Sequence, residues 1–495
     1  MSASEATAEV EVSKDQKPVK PPKKEQTIFG VNKKLIGLVV CALTGIIMSL
    51  FPIAALGAQG SYIFTSVVVM ILALVFEILP IGLIMMVWSM FLIAMKWVKA
   101  GVALEGFADS TTWLILGAFM IGEAAVITGF ARRVAYSLLR VGGTNYRRIT
   151  LMLYAAGWLI GLVIPSGTAR MAVVFPVFLG LLTAFNCKPQ SNEALDLMLQ
   201  VKWAFSTGGP SLAWMTGSSV NPIILSILRN TTGIEFTWLD WAIWMFVPTL
   251  FIAFLMWWST TWFSRSKVKA AVDMSGVKEE LNSLGKMSKA EMKAAIWMGI
   301  AVALWATSNQ HGINPGWIAM LVGLLLFSPG IGVLKKSNLK NIDWNIFLFC
   351  GGAISMAGVL GASGVSNWLV DVLLIPIMQP FSLLGDWGSY GGLWLFGFLM
   401  HFVIPSGVST AAVVTPLSLA YALQVGLNPV VTSFMVNFGN RPFIFPYQVM
   451  SVMLLWGYAQ PTMGQAARVL ALQCIVWFVY SMITIAFLML IIPAY

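Results

Sequence analysis

Charge is scarce in this chain. Only 10% of its 495 residues are charged and 58% are hydrophobic. Soluble domains carry about 25% charged residues, so a water-soluble globular protein is excluded. Histidine is nearly absent: His311 and His401 stand alone and make no metal site. The four cysteines, Cys41, Cys187, Cys350 and Cys474, follow no zinc, haem or redox spacing. Three of them lie in apolar segments, where a packed thiol is expected. No paired-carboxylate motif, nucleophile–histidine arrangement, phosphate-binding loop or metal-ligand cluster is written in the chain. An enzyme and an ATP-driven pump are therefore not expected.

What the chain has in abundance is long apolar runs. Spanning a bilayer takes roughly 20 apolar residues as helix, and 35–56 and 61–79 are two plain instances. The fold class expected is an all-α polytopic membrane protein. The net charge of +10 sits in the N-terminal tail and connecting loops, as cytoplasmic flanks require, and does not indicate nucleic acid. Residues 1–34 are rich in Lys, Glu, Pro and Ser and lack an apolar signal core. They read as a disordered cytoplasmic tail rather than a cleaved leader.

Eleven transmembrane helices are predicted near 35–57, 61–80, 82–98, 111–138, 202–230, 238–263, 294–309, 315–334, 345–375, 429–458 and 466–492. Loop charge tests the order. The stretch 131–148 has five Arg and no acid, 264–293 has seven Lys or Arg, and 335–343 has three Lys. All three fall inside if the tail is inside, whereas 376–392 falls outside with one Asp and no basic residue. This puts the N-terminus in the cytoplasm and the C-terminus outside, in a bacterial inner membrane. The 264–293 segment reads as a solvated linker between two halves, the alternative being an amphipathic helix on the membrane surface.

Two segments remain. VIPSGTARMAVVFP (163–176) and VIPSGVSTAAVVTP (403–416) are identical at nine of fourteen positions and lie 240 residues apart. A Pro-Ser-Gly break suits a straight helix poorly, and each half-segment is short for a span. Both are expected to be re-entrant hairpins, 150–185 entering from the cytoplasm and 390–424 from outside. One motif approached from opposite faces marks an inverted repeat. Upstream, Thr128-Gly129 matches Ser363-Gly364 at an offset of 235. The organisation expected is a tail (1–34), N-terminal helices (35–110), a first repeat (111–263), the linker (264–293) and a second repeat (294–495).

Downstream of each hairpin a helix is interrupted, at Gly208-Gly209-Pro210 and at Gly439-Asn440-Arg441-Pro442. Irregular backbone at membrane depth survives only against protein or a cavity. Half-helix N-termini favour anions, and unwound carbonyls and hydroxyls coordinate Na⁺. The candidate site thus suits an anion with a cation. Its side chains are Ser166, Thr168, Ser406, Ser409 and Thr410 at the tips. Ser206, Thr207, Asn221, Asn437, Asn440 and Gln448 belong to the broken helices. Charges at this depth are costly and usually functional. Arg441 is expected to face an anion. Arg170 either does so or pairs with Glu123. Lys202 is expected at the membrane interface.

These features resemble the divalent anion/sodium symporter (DASS) family of dicarboxylate, citrate and sulfate carriers, over about residues 35–495. The resemblance implies a Ser-Asn-Thr motif at each tip. Here the tips read Ser166-Gly167-Thr168 and Ser406-Gly407-Val408, so both Asn are Gly and the second Thr is Val. It also implies that the stretch carrying Gly208, Gly209, Gly217, Ser218 and Asn221 lines the site. The substrate set expected is Ser166, Gly167, Thr168, Ser406, Gly407, Val408, Asn221, Asn440 and Arg441. The cation set is Ser166, Ser206, Thr207, Gly208, Gly209, Ser406, Ser409 and Asn437, with Na⁺ as coupling ion and no other cofactor. The function implied is secondary transport of a small divalent anion by alternating access, with Na⁺ symport ahead of Na⁺-independent exchange and of an anion channel. The partners implied are the anion, membrane lipid and a second copy in a homodimer.

Overall fold

The computed structural model describes residues 27–28, 31–268 and 275–492. Almost everything described is helix. The one strand pairing among these residues joins Thr27–Ile28 to Val31–Asn32. Residues 1–26 and 29–30 of the expected tail lie outside the described residues, but its end is not free. Asn32 caps the first helix, Lys33–Leu50, by accepting from the Lys34 amide at 2.9 Å. That helix is the outermost, and Leu38, Val39, Ile46 and Ile47 on it are exposed.

Eight helices among the described residues are long and apolar enough to cross a membrane, and Ile81–Ala94 and Pro315–Leu325 are apolar but shorter. The eight include the second arms of both hairpins, Gly167–Ala184 and Gly407–Val425. The fold is all-α and polytopic, and the chain is an integral multi-pass membrane protein.

The two halves repeat one order of elements. The first runs Ser110–Ile127, Phe130–Val141, a hairpin of Tyr146–Gly161 and Gly167–Ala184, a broken helix over 192–232, and Trp238–Ser264. The second runs Trp344–Ala362, a stretch over 365–382, a hairpin of Gly385–Val403 and Gly407–Val425, a broken helix over 429–459, and Met463–Ile491. The helices expected over 111–138 and 345–375 are each split. Gly129 (φ 84°) and Gly364 (φ 71°) take the left-handed conformation, which ends one helix and caps the next. The expected 376–392 loop is largely helical, as Ile375–Ser382 and the start of Gly385–Val403, with Gly385 (φ 71°) turning the corner.

The 264–293 segment is neither a free linker nor a helix lying apart on a membrane. Its Ser275–Ser283 helix docks on the basic Phe130–Val141 helix, while 269–274 lie outside the described residues. Arg132 bonds Glu280. Arg133 reaches Glu291 at 2.7 Å and the Leu284 and Gly285 carbonyls at 3.1 and 2.9 Å. The Arg133 guanidinium holds the Glu291 carboxyl below the usual range.

Candidate functional site

Each hairpin turns at Pro-Ser-Gly because Ser caps the returning arm. Ser166 Oγ accepts from the Ala169 amide at 3.2 Å, and Ser406 Oγ from the Ser409 amide at 3.3 Å and Ser409 Oγ at 3.1 Å. The hydroxyls thus satisfy helix N-termini that a straight helix would never expose.

The first tip leans on the first broken helix. Asn192–Lys202 passes into a single π-turn, Trp203–Thr207, then into short turns up to Gly217 before helix resumes at Val220. The break is longer than Gly-Gly-Pro alone implies. Gly208 is required, since a Cβ there would lie 1.9 Å from the Trp203 carbonyl oxygen. This unwinding frees carbonyls, and Arg170 collects them. It donates to Phe205 O (2.7 Å), Ile164 O (2.5 Å), Gly217 O (2.7 Å) and Ser206 O (3.0 Å). Its side chain is buried with no carboxylate among its partners. The pairing with Glu123 is not made. Glu123 accepts instead from Asn341 at 2.6 Å and Asn338 at 3.4 Å, because the tip points Arg170 toward the unwound backbone.

The second tip is closed differently. Thr410, the repeat partner of Arg170, reaches only Ile404 O at 3.0 Å, and Asn440 Nδ2 donates to Gly407 O. Arg441 turns away to the first half. Its Nη2 bonds Asn221 Oδ1 (2.6 Å) and Asn437 Oδ1 (2.7 Å), and its Nη1 reaches Ser211 Oγ and Ser218 Oγ (both 3.3 Å). Asn437 and Asn221 bond each other at 3.2 Å. Gln448 serves the backbone, accepting from the Ile444 and Phe445 amides and donating to His401 O.

The assigned residues are therefore linked. Gly167 packs on Ser206, Gly407 on Asn440, Arg441 on Ser218, and Val408 on Val220 and Ile224. Thr168 is exposed, and Ser166, Gly167, Thr207, Ser218, Ser406, Gly407 and Val408 are half-buried, making an accessible rim over buried Arg170 and Arg441. Glu123 is outside this assembly.

The acceptors assigned to a cation mostly already have donors. Ser206 O accepts from Arg170, Gly208 O from Ser211, Ser406 Oγ from Ser409 and Asn437 Oδ1 from Arg441, while Ser206 Oγ and Ser451 Oγ share a hydrogen bond at 2.6 Å in which either can donate. Gly209 presses on Thr249. Among the described residues Thr207 Oγ1 and Asn440 Oδ1 are buried without partners. Two unpartnered side-chain oxygens are fewer than the roughly six that a hard cation gathers, so a Na⁺ here would share carbonyl and hydroxyl oxygens that already accept one hydrogen bond.

Sequence reasoning missed Ser211, Ser451 and Lys202. Lys202 is not at an interface but wholly buried, its Nζ 2.8 Å from the Trp203 ring centre and 3.9 Å from that of Phe443. A lysine inside the apolar run VKWAF was the available signal.

Two hairpin tips meeting two broken helices around buried cations, in a multi-pass helical bundle, define a membrane transporter rather than an enzyme. The match to the sodium:sulfate symporter transmembrane region covers residues 32–492, so the chain belongs to that family, the DASS carriers. It is 31% identical to an uncharacterized transporter of Haemophilus influenzae, over 57% of this chain and 59% of that one. It is 24% identical to the chloroplast dicarboxylate transporter 1 of Spinacia oleracea, over 85% and 77%. To the citrate/succinate antiporter of Escherichia coli K12 it is 25% identical, over 57% of each chain. Its fold is similar to that of the YdaH transporter of Alcanivorax borkumensis, with TM-score 0.57 and 13% identity over 81% of this chain and 90% of that one.

Proposed function

We propose that this chain is a Na⁺-independent exchanger of small dianions, of the dicarboxylate or sulfate type. One observation carries the reading: two guanidiniums, Arg170 and Arg441, are buried at the break points with no carboxylate bonded to either. A permanent double positive charge is balanced by a ligand of charge −2, whose oxygens take over Arg441 N–H groups now given to Ser211, Ser218 and Asn221. Two of the oxygens assigned to a coupling cation, Ser206 O and Asn437 Oδ1, already accept from these arginines. Relatives named as a dicarboxylate transporter and a citrate/succinate antiporter support the substrate class.

The anion sits between the two tips. The half-helix N-termini at Ser166 and Ser406 add positive dipole from either side, and the site opens to each face in turn. The basic loops support an N-terminus in the cytoplasm and a C-terminus outside, and the reading takes the membrane as a bacterial inner membrane. Assembly as a homodimer follows from the family resemblance.

The test is uptake of labelled succinate, citrate and sulfate into proteoliposomes. Uptake that requires anion inside the vesicles and ignores Na⁺ is expected. Na⁺-driven accumulation in vesicles without internal anion would overturn the reading and restore Na⁺ symport. Passive flux without counterflow would make the chain a channel.

A further inference from the structure

Among the described residues Lys202 is the one buried lysine or arginine that the anion site does not use. Its ammonium would carry three donors, and none finds an acceptor among the described residues. Two aromatic faces enclose it, Trp203 and Phe443, one from each broken helix. The box is held in place. Trp203 Nε1 donates to Gln473 Oε1 at 2.9 Å, and its ring stacks on Trp477 at 5.5 Å.

The electrostatic surroundings are lopsided. Arg441, Cys474 and His401 lie within electrostatic reach of Lys202, and Arg170 within reach of Arg441. The helices packed against its own carry Tyr146, Arg147, Arg148, Tyr154, Arg170 and Tyr458 and, among the described residues, one carboxylate, Asp240, which accepts from Thr237 and not from Lys202. On its own helix Asp196 is engaged elsewhere, by Tyr146 Oη at 2.8 Å and Gln200 Nε2 at 3.2 Å. Glu193 lies just under one turn further back and accepts from the Lys267 amide at 3.1 Å. Unlike arginine, lysine readily gives up its proton when buried.

We propose that Lys202 is a proton-binding site coupled to anion occupancy: neutral in the empty carrier, it takes a proton when a dianion settles between Arg170 and Arg441. The inference rests on the anion site proposed above. In the empty protein two guanidiniums repel a third charge, and no hydrogen bond offsets the loss of water. A bound dianion cancels that repulsion, and the aromatic faces then favour the ammonium. The step is a simple protonation. A proton from solvent joins the amine lone pair, and no other bond changes. Anion affinity then falls as pH rises, by up to about tenfold per pH unit between the values at which the empty and the occupied sites titrate.

The test is calorimetric titration of the full chain in detergent with sulfate and with succinate, both fully dianionic at about pH 8. Two buffers of different ionisation enthalpy give the protons taken up per anion bound. Wild type is expected to take up a proton with each anion, up to about one. Lys202→Met fills the same space without charge and is expected to fold, since replacing an unpaired buried charge by a hydrophobe is tolerated. It is expected to bind with no proton uptake and a flat pH profile. Anion binding by wild type without proton uptake would overturn the proposal, as would uptake that persists in Lys202→Met. No binding of either anion by wild type would instead overturn the anion site, and this inference with it.

Discussion

At the scale of single residues the two arginines do different work, and substitutions separate them. Arg441 is held by side-chain oxygens of both halves, so it reports on anion binding. Arg441→Gln is expected to weaken binding of the transported dianion at least about tenfold, the loss of a buried charge partner; unchanged affinity would remove it from the site. Arg170 instead serves four backbone carbonyls. Each carbonyl left without a donor costs about 1–3 kcal/mol, so Arg170→Ala should lower the melting temperature markedly. The same variant leaves a cluster of unpaired carbonyls, a setting that favours a small hard cation. Its melting temperature is therefore expected to rise with Na⁺ and not with choline, while wild type ignores both. An ion-indifferent variant would show that the carbonyls do not converge on one point.

At the scale of elements, stability is concentrated where backbone leaves the helix. Gly208→Ala puts a methyl against the Trp203 carbonyl and should abolish transport. Gly180→Ala, in the second arm of the first hairpin with open space around it, should instead stabilise by about 0.5–1 kcal/mol. Chemical unfolding of the pair checks both. The linker helix offers a pH effect. Glu291 has its carboxyl lowered by Arg133, so the pair contributes stability above the unfolded carboxylate value of about 4.3 that is lost as pH falls through the lower folded value. Glu291→Gln should remove that acid-side decline in melting temperature.

The hairpins were legible because Ser and Gly name a cap and a turn, and because the motif is written twice. The breaks at Gly129 and Gly364 were readable only as a short match, since positive φ has no side-chain signature. The partners of Arg170 were not legible, because backbone carbonyls are the same under every sequence. Lys202 was misplaced because a long side chain is assumed to reach water, and only tertiary packing shows Trp203 and Phe443 closing over it.

At the scale of the whole molecule, the placement of charge constrains the transport cycle. Alternating access requires the site to face each side in turn, and the empty site holds two buried guanidiniums. Carrying uncompensated charge across the bilayer interior is costly, and the membrane potential adds about 2.3 kcal/mol per charge per 100 mV. With a dianion bound, the two arginine charges are balanced, and only the single proton proposed for Lys202 remains. The loaded form therefore crosses more easily than the empty one, and the carrier returns only with another anion aboard. In the exchanger proposed above, fixed arginines enforce exchange in this way, whereas a site filled by Na⁺ empties to a form without that charge. Efflux into anion-free buffer should be slower than exchange by at least about tenfold, the factor that a barrier difference of about 1.4 kcal/mol produces. Efflux as fast as exchange would show that the empty carrier crosses freely, and that the arginine charge is neutralised by something other than the anion.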